Sequence, residues 1–164
     1  MTDRPATSER SYLARTYDDD RFAWTRRKRV RRRLVVAEAV LISALVVLTI
    51  AAAALGADRG WLAWPWSIAL LGFVPIHSFL NLGIRGLYDR SERTLDEHQR
   101  RLRDESYIAV RWPATFVTLA AVLAVFAASL MGDTARGLMA GFLLWFGASL
   151  LPYWHLAWML PDED

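Results

Sequence analysis

Four long blocks of apolar residues alternate with charged connections along this chain, at residues 34–55, 61–84, 112–131 and 137–160. Each block supplies about 30 Å of helix at 1.5 Å per residue, the thickness of a bilayer's hydrocarbon core. Glu38 is the only formally charged side chain inside them. A soluble core helix would break its apolar face with polar residues every three or four positions, and these blocks do not. The pattern predicts an all-α integral membrane protein with four transmembrane helices in two hairpins, 34–84 and 112–160. A charged helix at 85–111 lies between the hairpins, with a partly disordered segment at 1–33 before them and an acidic tail at 161–164. The first block is too long for the apolar core of a signal peptide and follows 33 residues, so it reads as a span.

The composition, 54% apolar and 23% charged, would also suit a soluble domain, so the segregation of the two kinds decides. Basic residues crowd two of the connections. Arg26, Arg27, Lys28, Arg29, Arg31, Arg32 and Arg33 precede the first block, and seven arginines lie between the second and third. The other two connections carry one each, Arg59 and Arg136. Basic residues beside spans stay inside, so both termini are expected in the cytoplasm of a bacterial inner membrane. Arginine supplies all but one of the 20 basic residues, which fits a GC-rich bacterial coding sequence. Trp61, Trp64 and Trp66 then mark the outer interface, and Trp24, Trp112, Trp154 and Trp158 the inner one. With no cysteine, disulfides, thiolate metal sites and cysteine nucleophiles are excluded.

The two hairpins share a pattern. Counting from Gly60 and from Gly137, Pro75 and Pro152 each fall 15 residues on, followed by His77 and His155 at 17 and 18. This favours a duplicated hairpin. The run of a basic stretch, an apolar helix, a short turn, Trp64-Pro65-Trp66, Gly72 and His77 resembles the bacterial two-transmembrane (two-TM) domain family. The resemblance covers about residues 26–105 and extends faintly to the second hairpin, so two tandem copies are expected. It implies a small membrane module, alone or attached to signalling proteins, and it brings no catalytic residues. The chain departs from the family at Gly72-Phe73, where a Trp-Gly pair is expected, and in a first helix lacking polar His and Asn positions.

Ionisable groups inside spans raise a functional question. Glu38, His77, Asn81 and His155 fall in the same leaflet and are the candidate ligand-binding set. They can serve as interhelical polar contacts, with Glu38 reaching toward Arg31–Arg33, or as a shared site. A shared site would be a haem held by His77 and His155 or a proton- or quinone-handling pair with Glu38. Asp96 and His98, two apart, do not face one way and make no metal site. In the charged connection Tyr88, Leu95 and Leu102 repeat every seven residues, a narrow stripe suited to headgroups or a partner helix. The seven basic residues at 26–33 are expected to meet anionic lipid, which their position favours over nucleic acid. The acidic tail would meet the basic cluster of a neighbour. These readings point to a non-enzymatic accessory or regulatory subunit of a membrane complex, self-associating or joined to other chains. The alternatives are a haem or quinone site and a small oligomeric transporter. Both hairpins run the same way, which weakens the transporter reading.

Overall fold

The computed structural model describes residues 17, 19–56 and 59–162. The disorder expected at the start of the chain and the last two residues of the tail lie outside the described residues. A 3₁₀ segment, Asp20–Arg26, leads into α1 (Lys28–Ala54), followed by α2 (Arg59–Gly83), α3 (Glu97–Leu130) and α4 (Thr134–Met159). There is no strand among the described residues. All four long helices are long and apolar enough to cross a membrane, as the sequence pattern predicts.

The helices form a row. α1 packs between α2 and α4, α3 packs on the far side of α4, and α2 meets α4 mainly through aromatic side chains. The buried residues of α1 are Arg31, Val35, Glu38, Ile42, Leu45, Thr49 and Ala52. Their spacings alternate four and three, the seam of a heptad, so one face of α1 holds both neighbours. Two members of the seam, Arg31 and Glu38, are ionisable, and they organise the end of the bundle where α1 begins and α4 ends.

The contact between α3 and α4 is the most extensive, and glycine makes it possible. A Cβ on Gly137 would lie 2.5 Å from that of Ala128, and one on Gly141 would lie 2.5 Å from Val125 Cγ2 and 3.1 Å from Ala121 O. Gly137 and Gly141 form a GxxxG pair, and close backbone approach replaces the hydrophobic drive that lipid removes.

The charged connection is not one separate helix. Its first part turns back, with Arg85 at φ 56° and Gly86 at φ 61°. The amide of Gly86 donates to Asn81 O at 2.8 Å and that of Arg85 to Leu82 O at 3.1 Å, the paired bonds that end a helix in a left-handed residue. Glycine usually fills Arg85's place. The second part is helical and continuous with the third span. Asp96 caps it by accepting from Gln99 N at 2.7 Å, while the Gln99 side chain accepts from Asp96 N at 3.2 Å. At 34 residues, α3 runs for about 51 Å, so its charged first turns stand beyond a hydrocarbon core of about 30 Å.

Replacing Gly141 with Val should push α3 off α4 and destabilise the fold by about 1–3 kcal/mol, as overpacking does. Gly72 has open space around its Cβ direction, and Gly72→Ala should be neutral or stabilise by up to about 1 kcal/mol. Thermal unfolding of the purified protein in one detergent compares the two.

Candidate functional site

Glu38 is the centre of the site. Its side chain is fully buried. Oε2 accepts the indole N–H of Trp154 at 2.7 Å, and Oε1 lies within hydrogen-bond distance, 3.0 Å, of Nδ1 of His77. One carboxylate of α1 therefore ties α2 and α4 together. The His77 ring stacks on Phe73, one turn earlier, with centroids 5.2 Å apart, and meets Tyr153 of α4 at 5.3 Å. Phe73 in turn meets Phe146 edge-on at 5.1 Å. Aromatic rings thus flank the pair, with Glu38 fully buried and the His77 side chain 27% exposed.

Only two of the four candidate ligand residues come together. Asn81 turns away toward the connection, where its amide donates to Asp89 and to the Tyr17 hydroxyl at 3.4 Å. His155 lies on another side of α4. Tyr153 faces His77, and two residues along a helix turn about 200°, so His155 points away from His77. Its Nδ1 is buried with no hydrogen-bond partner among the described residues. A haem held by both imidazoles would need them directed at one iron, and these two diverge. Among the described residues no group of three or more His, Asp or Glu could hold a metal ion.

The basic cluster divides as well. Arg31 is not at the lipid surface: it is 1% exposed and does not reach Glu38. Its guanidinium donates to Ala157 O at 3.2 Å, Leu160 O at 2.5 Å, Pro161 O at 2.7 Å and Arg26 O. The last carbonyls of α4 have no helical partners, and a cation there satisfies them and suits the helix dipole. Arg26 is also buried, donating to the carbonyls of Tyr17 at 2.9 Å and Asp19 at 3.3 Å. Arg27, Arg29 and Arg33 stay exposed, and Lys28 and Arg32 are half-buried. The acidic tail meets the basic segment of its own chain, since Asp162 accepts the Lys28 amide at the start of α1. Both ends of the described chain lie on one side of the bundle.

Tyr88, Leu95 and Leu102 are not free for a partner helix. Leu95 is buried, and Tyr88 and Leu102 pack on the core of Val35, Leu80, Ile84 and Leu156. The Tyr88 hydroxyl pairs with Ser106, and its ring lies 4.1 Å from that of Tyr153. Burial pushes the Tyr88 hydroxyl well above the usual phenol range. The heptad spacing reflects packing inside the chain.

Tyr17 and Trp154 were not among the candidate ligand residues. The Tyr17 ring lies over Gly86, where a Cβ would come within 2.4 Å of it, and its hydroxyl donates to Asp89 at 3.1 Å. Arg90 lies over the ring at 5.5 Å. A cavity of 530 Å³ opens nearby, lined among others by Arg85, His98, Leu102 and Leu156, with Asp96 and Gln99 on its rim engaged in the helix cap. Comparison with protein-family models, with curated proteins and with solved structures gives no match. Residue roles therefore rest on the geometry alone.

Glu38→Ala leaves the indole N–H of Trp154 and the ring of His77 unsatisfied and should cost about 3–5 kcal/mol. Glu38→Gln keeps an acceptor and should cost less. Thermal unfolding ranks the two variants, and equal stability of Glu38→Ala and the native chain would remove Glu38 from the centre of the packing. Burial, then the neighbouring Asp89 carboxylate, pushes the Tyr17 hydroxyl from 10.0 up to about 12. A raised pKa means that the folded state favours the neutral phenol. The contact is at full strength below pH 10 and is lost as the pH rises through about 12. An ultraviolet difference titration of the native chain against Tyr17→Phe should show this one late-ionising phenol.

Proposed function

We propose that the chain is a non-enzymatic accessory module of a membrane complex, with its basic end in the cytoplasm of a bacterial cell. One observation carries the reading: the fully buried polar side chains of α1 are used in joining elements of the fold. Glu38 holds α2 and α4, Arg31 holds the end of α4 and the segment before α1, and Thr49 receives the Trp66 indole N–H at 3.4 Å. Among the described residues these buried polar groups are engaged in contacts that join helices, which suits a scaffold. The resemblance of residues 26–105 to the two-TM domain family agrees with a small module working beside other proteins.

The Glu38–His77 pair favours a second reading, proton handling within the membrane. A buried carboxylate beside an imidazole is a costly arrangement that often marks proton movement.

Native mass spectrometry of the protein extracted in mild detergent from its own membrane separates the two readings. A stoichiometric complex with another polypeptide that survives Glu38→Gln is the expected result. A chain that emerges alone, and that moves protons in vesicles only while Glu38 and His77 are intact, would replace the accessory reading with the second.

A further inference from the structure

α1 and α3 both pack on α4 but hardly touch each other, so a face of α4 lies open between them. Two cavities follow that face and meet at Leu144. One, of 260 Å³, reaches Trp154 past Ala39, Ser43 and Gly147, and the other, of 390 Å³, reaches Asp133 and Arg136 past Ala128 and Ala140. From position 133 to 154 is about 31 Å of helix, so the groove runs through nearly the whole hydrocarbon thickness. The lining is almost wholly apolar, from Ile42, Val46 and Val47 on α1 to Leu143, Leu144 and Leu151 on α4, and a narrow apolar groove of that length suits a hydrocarbon chain.

Two turns of α1 beyond the Trp154 end of the groove, outside the lining of either cavity, lies a cation, Arg32. Arg32 is seven residues before Ala39 and eleven before Ser43, on the same face of α1. Its guanidinium lies over the ring of Trp158, 4.5 Å from the centroid, and Trp158 is one turn beyond Trp154. The Nε of Arg32 is buried and has no hydrogen-bond partner among the described residues. His155, whose Nδ1 is in the same condition, is one turn beyond the groove-lining Leu151 and falls on that face of α4. The nearby Asp162 carboxylate is held by the Lys28 amide. A guanidinium held over an indole still has its terminal N–H groups to offer, and these can pair with a phosphate.

The geometry points to a bound phospholipid: its phosphate rests on Arg32 above Trp158, with His155 beside it, and one acyl chain fills the groove between α1 and α3. The site rests on the membrane character of the four spans and is independent of the accessory-subunit reading. It separates Arg32 from the exposed Arg27, Arg29 and Arg33, which meet a lipid surface only as diffuse charge.

Native mass spectrometry of the delipidated chain tests the site, titrating dioleoyl phosphatidylglycerol and, separately, dioleoyl phosphatidylcholine. The native chain should retain one phosphatidylglycerol through activation. Arg32→Gln should bind it about tenfold more weakly, the effect of losing roughly 1.4 kcal/mol of charge-assisted hydrogen bonding. Ser43→Phe, at an exposed groove position, should weaken both lipids. Val47→Phe serves the same purpose if Ser43→Phe unfolds in the thermal assay. Equal retention by the native chain and all variants would reduce the site to ordinary bilayer contact and overturn it. Loss with Arg32→Gln but not with either groove variant would also overturn it, as would glycerol phosphate competing as well as the intact lipid. Because the purified chain alone is measured, a missing partner complex leaves this result unchanged.

Discussion

A charge buried among membrane-spanning helices has to be satisfied by protein, because the hydrocarbon around it offers nothing. Arg31 and Glu38 meet this constraint seven residues apart on one face of α1, and the rest of the arrangement depends on how they do so. Glu38 takes one donor from α2 and one from α4. Arg31 gathers carbonyls from the end of α4 and from the segment that precedes α1. The two do not pair with each other. Each instead satisfies a polar group that another element would leave stranded, and this fixes the rotation of α1 between its neighbours more tightly than apolar packing could.

The second hairpin is held by different means. Where α1 and α2 meet through Glu38–His77 and Trp66–Thr49, α3 and α4 meet through the bare backbones of Gly137 and Gly141. The matched prolines and histidines are therefore not matched in role. His77 is engaged by a carboxylate and flanked by two rings, while the buried Nδ1 of His155 has no hydrogen-bond partner among the described residues. If the hairpins share an ancestor, their contacts have diverged further than their spacing.

The spans and their number were legible in the sequence because hydropathy is local: each block declares itself without reference to the others. The partners of Glu38, Arg31 and Tyr88 were not, because pairing is set by helix rotation and by the order in which helices pack. Glu38 was recognisable as a site residue, but its partner Trp154 was hidden among tryptophans that an interface explains equally well. Arg31 was indistinguishable from the six basic neighbours that surround it. Two signals were present and carried more than they were given. The residues Arg31, Val35, Glu38, Ile42, Leu45, Thr49 and Ala52 spell a heptad through an otherwise uniform block. The GLMAG at 137–141 spells a close helix crossing. The stripe of Tyr88, Leu95 and Leu102 misled because seven-residue spacing is blind to a chain reversal such as that at Arg85 and Gly86.

The latch that Arg31 and the Lys28 amide make with the end of α4 and Asp162 also orders events in time. The first span leaves the ribosome before Trp154, which donates to its carboxylate, before Leu160 and Pro161, which accept from its guanidinium, and before Asp162, which accepts the Lys28 amide. At about 5–20 residues per second, synthesis keeps α1 waiting for several seconds before those partners exist. Until α4 has been made, Arg31 and Glu38 lack most of the partners that hold α1 in place.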